Sequence, residues 1–134
     1  MKSDWFDKYS VNVAEMDGQH LKMFGFIGRL RRGIEEKQER RAIEEVLNNL
    51  MEYTKVHFAR EEQLMRENDC PDIEKHIAEH ERLLAEVLER RRKFMMGEEV
   101  KATGLGSFLY NWLTHHIAVT DKSYGPCLNG KGVE

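Results

Sequence analysis

The residues of this sequence that could do chemistry are histidines and one glutamate at helical spacing. His57 and Glu61 are four residues apart, which places both side chains on one face of a helix. Leu50 lies seven residues before His57 on the same face, which indicates that this face is directed towards the core. His76 and His80 form a second pair four residues apart. Imidazole nitrogens and carboxylate oxygens suit iron, manganese, cobalt or zinc, whereas magnesium and calcium prefer oxygen ligands alone. The spacing therefore predicts a metal site in the core.

Two more histidines are predicted to face inwards from other segments. His20 precedes Met23 by three residues and belongs to the same apolar stripe. His116 follows Trp112 by four residues, so it faces the core, whereas its neighbour His115 is predicted at the exposed rim. One inward histidine is more often a hydrogen-bonded core residue than a ligand. Five that converge beside a core glutamate favour metal binding.

The charge of Glu61 supports the same interpretation. A buried carboxylate without a counter-charge is costly or stays protonated, and the inner stripes carry no Lys or Arg to pair with it. Metal cations are the natural counter-charge. Five imidazoles exceed one ordinary coordination shell, whereas two six-coordinate ions that share two carboxylates and a hydroxide would leave one position open. We therefore expect a two-metal site that binds one small external ligand.

Four long amphipathic segments are predicted to position these side chains. Prolines occur only at positions 71 and 126, so the intervening chain is free to be helical. Short connections between long helices indicate an all-α, antiparallel, up-down-up-down four-helix bundle. This topology brings the start of the first helix, the end of the second, the start of the third and the end of the fourth together, where the histidines lie. The predicted elements of this single domain, 1–134, are an arm at 1–14, helices at about 16–36, 39–67, 72–94 and 98–122, and a short C-terminal tail.

The composition excludes several classes of function. Charged residues make up 34% of the chain and its net charge is only -3, so the mixed surface argues against a nucleic-acid partner. No apolar run approaches the roughly 18–20 residues of a membrane span, and Met1 to Trp5 lack the pattern of a signal peptide. We expect a cytoplasmic protein. We expect Cys70 and Cys127 to lie at the metal end of the bundle as free thiols.

The combined spacing resembles that of the hemerythrins, especially the single-domain bacteriohemerythrins, over nearly the whole chain. Each motif alone is weak, but together they are highly specific. The tail from Asp121 to Pro126 also fits the resemblance. The motifs that carry it are Met16-Asp17-Gly18-Gln19-His20, His57-Phe58-x-x-Glu61-Glu62, His76-x-x-x-His80 and Trp112-Leu113-x-x-His116-Ile117-x-x-x-Asp121.

The resemblance implies a specific arrangement of ligands around two iron ions. Glu61, Asp121 and an oxo or hydroxo group would bridge the ions. One iron would be completed by three histidines, His76, His80 and His116. The other would be held by His20 and His57, and its open position would take dioxygen. An apolar pocket that keeps water out would be formed by Trp112, Leu113 and Ile117.

One ligand spacing requires an irregular helix. Asp121 lies five residues beyond His116, so an ideal helix would turn it about 140° away from that histidine. A π-bulge or a loosened last turn would bring both side chains to the metals. Glu62, next to Glu61, is predicted to be an outer-face acid and not a second bridge.

The predicted function is reversible dioxygen binding at a non-heme di-iron centre, for oxygen storage, delivery or sensing, by a protein that is not an enzyme. Alternatives are a di-iron enzyme acting on peroxide or nitric oxide, and an iron store or iron sensor. Ferritin-like di-iron enzymes use Glu-x-x-His pairs, and the inner faces here show none. A sensor is normally attached to a signalling domain, and we expect none in this chain. The sequence identifies no protein partner.

Overall fold

The computed structural model describes residues 9–117 and 124–134. Its elements in chain order are α1 (Ala14–Glu35), α2 (Glu39–Glu67), α3 (Ile73–Met95), α4 (Ala102–His115) and the short α5 (Gly125–Gly130). Helix α1 packs against α2 and α4, and α2 packs against α3. The predicted all-α four-helix bundle is confirmed, and the described ranges contain no strand. Among these helices none is long and apolar enough to cross a bilayer.

Local residues explain where α2 and α3 meet. The side chain of Asn68 donates to the carbonyl of Leu64 at 2.8 Å and so closes the last turn of α2. Asp69 and Asp72 have φ angles of 50° and 63°, the left-handed conformation that short polar residues tolerate. The chain therefore reverses within a few residues around Pro71, and this tight turn sets the end of the bundle that holds the histidines.

The fourth helix begins later than the sequence predicts. Residues 98–101 form a connection, and the backbone N–H of Ala102 donates to the Glu39 carboxylate at 2.8 Å. This contact from another helix caps α4, a role that local sequence does not reveal. Close packing also explains Gly33, because a Cβ at this position would overlap the Cβ of Ala42.

The arm and tail are attached to the bundle at one end. The carboxylate of Asp17 accepts hydrogen bonds from the Ser10 hydroxyl at 2.6 Å and from the Val11 N–H at 2.9 Å. Val11 is buried, as predicted for an arm laid on the bundle. The first part of that arm, residues 1–8, lies outside the described residues. The tail contains α5, which was not predicted because six residues show no periodicity, although Pro126 fits a first helical turn.

The expectation of free cysteines is wrong. Cys70 and Cys127 form a disulfide, with their Cα atoms 5.8 Å apart. They do lie at the same end of the bundle, as the helix order predicts. The expectation of free thiols rested on the presumed compartment, whereas the pairing follows from tertiary proximity, which brings α5 against the turn between α2 and α3.

Candidate metal centre

The predicted ligands that the structure describes meet at one end of the bundle. Each of the four long helical segments contributes at least one of them, and all six side chains are at most 2% exposed. The predicted convergence of helix ends is therefore observed. The six are His20 in α1, His57 and Glu61 in α2, His76 and His80 in α3, and His116 directly after α4.

The Glu61 carboxylate lies between two pairs of imidazoles. Its Oε2 is 3.1 Å from Nε2 of His57 and 3.7 Å from Nε2 of His20. Its Oε1 is 2.9 Å from Nε2 of His80 and 3.6 Å from Nε2 of His116. Each carboxylate oxygen thus faces two ring nitrogens from two different helices. One glutamate could be shared by two metal ions in this arrangement.

The donor atoms form two groups that share only this glutamate. The first is His20, His57 and Glu61, and the second is Glu61, His80 and His116, with the ligand atoms of each group within 4.8 Å of one another. Two neutral nitrogens and one carboxylate oxygen per group suit borderline divalent metals. The chemistry of this donor set therefore fits the iron pair that the resemblance implies.

Hydrogen bonds behind the rings orient them. Nδ1 of His57 donates to the amide oxygen of Gln19 at 2.6 Å, and Nδ1 of His80 donates to the Glu62 carboxylate at 2.8 Å. When Nδ1 carries the proton, Nε2 presents a lone pair to the centre of the site. Glu62 therefore lies behind the His80 ring, and this contact was not predicted.

His80 provides a further test of metal fit. A neutral His80 that donates from Nδ1 to Glu62 turns a lone pair at Nε2 towards Oε1 of Glu61, only 2.9 Å away. Two acceptor atoms at that distance repel each other unless a proton or a cation lies between them. A metal ion bound by both atoms removes this conflict without breaking the Glu62 contact. The geometry around His80 therefore favours a cation site.

Aromatic rings pack against the histidines on the apolar side. Phe58 stacks on His80 with ring centroids 4.0 Å apart, and Trp112 stacks on His116 at 4.9 Å. Trp112 is 9% exposed, and the other two predicted pocket residues, Leu113 and Ile117, are buried. Phe58 belongs to the motif that begins at His57, but its stacking on His80 was not predicted, because a residue directly after His57 does not fall on the same helical stripe. These rings hold the imidazole planes and exclude water.

His76 occupies a position slightly apart from the four histidines that surround Glu61. Its ring centroid is 6.1 Å from that of His80 and 6.5 Å from that of His116. Its Nδ1 lies 3.4 Å from the backbone carbonyl of Asp72. His76 is thus on the three-histidine side of the site, where the resemblance places it, although it belongs to neither donor group around Glu61.

The last predicted ligand, Asp121, lies outside the described residues. The backbone leading to it widens into a π-helical turn at residues 116–117, directly after α4. A widened turn here is what the spacing from His116 to Asp121 predicts. His115 is exposed, as expected for a residue on the rim.

A tyrosine from the tail also reaches Glu61. The hydroxyl of Tyr124 donates to Oε2 of Glu61 at 3.1 Å, and the side chain is buried. Helical spacing predicts no role for this tyrosine, since it follows the fourth helix and belongs to no periodic stripe. Its place in the tail motif that begins at Asp121 was the only available signal.

The electrostatics of the site keep Glu61 ionised. Burial alone raises the pKa of this carboxyl, but its electrostatic interactions with His57, His116 and His20 outweigh burial. The pKa of Glu61 is therefore held well below its usual value. The carboxylate is in the form that a metal ion requires.

Comparison with known proteins agrees with this site. Residues 11–128 match the family described as hemerythrin HHE cation binding domain. The chain is 32% identical to a bacteriohemerythrin of Methylococcus capsulatus, over 91% of this chain and 92% of that protein. It is 32% identical to a bacteriohemerythrin of Stenotrophomonas maltophilia, over 90% and 77%. A crystal structure of wild-type hemerythrin superposes with a TM-score of 0.84 at 31% identity, over 96% of this chain and 97% of that one. The chain therefore belongs to the hemerythrin family.

Proposed function

We propose that this chain binds dioxygen reversibly at a non-heme di-iron centre and serves as an oxygen-binding protein, not as a catalyst. One observation carries the proposal: each oxygen of the buried Glu61 carboxylate faces two imidazoles. Membership of the hemerythrin family supports iron as the metal. The proposal covers storage, delivery or sensing of oxygen by a single domain, residues 1–134, in the cytoplasm, with dioxygen as the ligand and no nucleic-acid partner.

The ligand roles follow the two sides of Glu61. His20 and His57 would hold one iron, and the three-histidine side would hold the other through His76, His80 and His116. Glu61 and Asp121 would bridge the ions together with an oxo or hydroxo group. An iron pair held by these residues would supply reversible two-electron redox chemistry towards dioxygen. Gln19 and Glu62 keep two of the ring nitrogens aimed at the site.

The protein contributes an enclosed, apolar surrounding for this chemistry. Leu113 and Ile117 are 2% and 0% exposed, and Trp112 and Phe58 stack on histidine rings. Such a wall keeps bulk water away from the site. Water is then not available to protonate the bound ligand and release it in a form other than dioxygen. An apolar wall of this kind supports binding and release of a small neutral molecule.

Optical spectroscopy on the iron-loaded protein tests the proposal. The protein is reconstituted with ferrous iron under argon, its iron content is measured, and spectra are taken without oxygen, with oxygen and after renewed argon. We expect a nearly colourless reduced form, a visible absorption band with oxygen, and loss of that band under argon. Irreversible oxidation in one exposure would instead support the enzyme or the iron store.

His115→Ala is the matched control for this experiment, because His115 is exposed beside the buried His116. It should keep both irons and the reversible spectrum. Loss of metal in His115→Ala with retention in His116→Ala would show that the face of the fourth helix is wrongly assigned.

A further inference from the structure

Tyr124 is held beside the metal centre by its place in the chain and by its packing. It directly precedes α5, its side chain is 1% exposed, and its ring stacks on that of His76 at 5.6 Å with a 7° angle between planes. Helix α5 is itself bonded to the turn after α2 through Cys127 and Cys70. These attachments hold the tyrosine ring in place through the protein and independently of any metal.

The Tyr124 hydroxyl distinguishes the two oxygens of Glu61. It donates to Oε2, the oxygen that faces His20 and His57. No such hydroxyl contact with Oε1, the oxygen that faces the other donor group, is found among the described residues. Within the described part of the site, a fixed O–H donor therefore holds the carboxylate on the two-histidine side.

We propose that Tyr124 is a positioning residue for Glu61, whose hydroxyl holds Oε2 towards the His20–His57 pair and thereby sets how tightly that pair binds its metal ion. This inference rests on the proposed two-metal site. Tyr124 acts through Glu61 and does not itself bind metal.

The physical reason is the freedom of a carboxylate to change its binding mode. A glutamate that rotates about its terminal bond gives both oxygens to one ion and leaves the other ion with fewer ligands. A hydrogen bond from a rigid donor to a buried, ionised oxygen is among the stronger neutral-donor contacts in proteins. By restraining Oε2, Tyr124 keeps Glu61 shared between the two sides. The ion held by fewer histidines depends most on this restraint.

Cobalt titration of the metal-free protein tests the inference. Co²⁺ binding is followed by its visible absorption and by calorimetry in wild type, Tyr124→Phe and His20→Ala. The binding step that disappears in His20→Ala identifies the two-histidine side. In Tyr124→Phe, which keeps the ring stacked on His76, we expect that step to weaken by about 10-fold or more, the usual effect of losing an outer-shell partner. The other step should be unchanged.

Two further variants separate the hydroxyl from general structural effects. Tyr53→Phe removes a hydroxyl from a half-buried tyrosine on α2 that contacts Phe26 and Lys22, and it should leave both steps unchanged. Tyr124→Leu removes the ring as well, and it should weaken the two-histidine step at least as much as Tyr124→Phe does.

Several outcomes would overturn the inference. If Tyr124→Phe bound Co²⁺ with the same two binding constants as wild type, or if both steps were weakened equally, the hydroxyl would not position Glu61. These results would leave the two-metal site intact. If wild type bound a single Co²⁺ ion, both the proposed function and this inference would fail, so the two failures are distinguishable.

Discussion

Nδ1 of His80 donates to the carboxylate of Glu62 at 2.8 Å, on the side of the ring away from the metal centre. Glu62 is partly buried, with 17% of its side chain exposed. A carboxylate behind an imidazole fixes the ring and makes the opposite nitrogen a stronger ligand. Glu62 therefore supports the three-histidine side of the site, whereas Tyr124 contacts the oxygen of Glu61 on the two-histidine side.

Substitution of Glu62 should weaken metal binding on that side. In Glu62→Ala we expect the affinity of the three-histidine step to fall by roughly 10-fold, as is typical when an outer-shell acceptor is lost. Glu62→Gln keeps an amide oxygen as acceptor and should retain most of the affinity. Cobalt titration gives both values. Equal affinities in Glu62→Ala and wild type would contradict a supporting role for this residue.

Metal content should separate a bridging ligand from one that serves a single ion. Glu61→Ala removes a ligand from both ions and leaves imidazoles facing a gap, so both irons should be lost or badly weakened. His20→Ala removes one ligand from one ion, so metal content should fall towards one iron and oxygen binding should disappear. Iron analysis after reconstitution and gel filtration gives these numbers. Equal iron retention in Glu61→Ala and wild type would rule out a shared carboxylate.

Thermal stability of the same variants should follow the metal content. Metals bind the folded chain far more tightly than the unfolded chain, so each lost ion lowers the free energy of unfolding. We expect the order wild type, His20→Ala, Glu61→Ala, with the iron-loaded proteins compared at one iron concentration. If the metal-free forms of the three proteins differed in thermal stability by the same amounts, the differences would reflect packing and not metal binding.

The disulfide should contribute to stability through the chain segment that it closes. Cys70 and Cys127 are separated by 57 residues. For a loop of this length, the Cys70→Ser/Cys127→Ser double variant should lower the free energy of unfolding by about 2–4 kcal/mol. Urea unfolding of the metal-free proteins measures the difference, with reduced wild type as the comparison. Thiol titration of native oxidised wild type should find no free thiol, and two reactive thiols would contradict the observed pairing.

The ion pair between Glu15 and Arg60 predicts that the free energy of unfolding depends slightly on pH. A hydrogen bond from Arg60 lowers the pKa of Glu15, which ties α1 to α2 near the site. Because the folded-state pKa is depressed, the stabilisation is complete above the unfolded value of 4.5 and is lost as pH falls through the folded value. Because both side chains are partly exposed to solvent, this pair stabilises the folded state only weakly. Glu15→Gln should therefore be slightly less stable than wild type at pH 7, and the difference should vanish in acid.

Helical periodicity alone placed the core face of each long helix. The spacing of His57 and Glu61 on the apolar stripe of α2 predicts their burial, and both are 0% exposed. His116 and His115 are adjacent in sequence, yet the stripe from Trp112 correctly predicts which is buried and which is exposed. These features are local because a helix turns by a constant angle per residue, so spacing determines the face.

Tertiary structure decided the contacts that join segments far apart in sequence. Tyr124 reaches Glu61 across 63 residues, Glu39 caps Ala102 across the same distance, and Cys70 pairs with Cys127 across 57. None of these partners follows from spacing on one helix, because each depends on how separate elements pack. The sequence by itself predicted the four long helices, their inner faces and the family to which the chain belongs. Packing decided which oxygen of Glu61 faces which histidines, because that division exists only once four helix ends have come together.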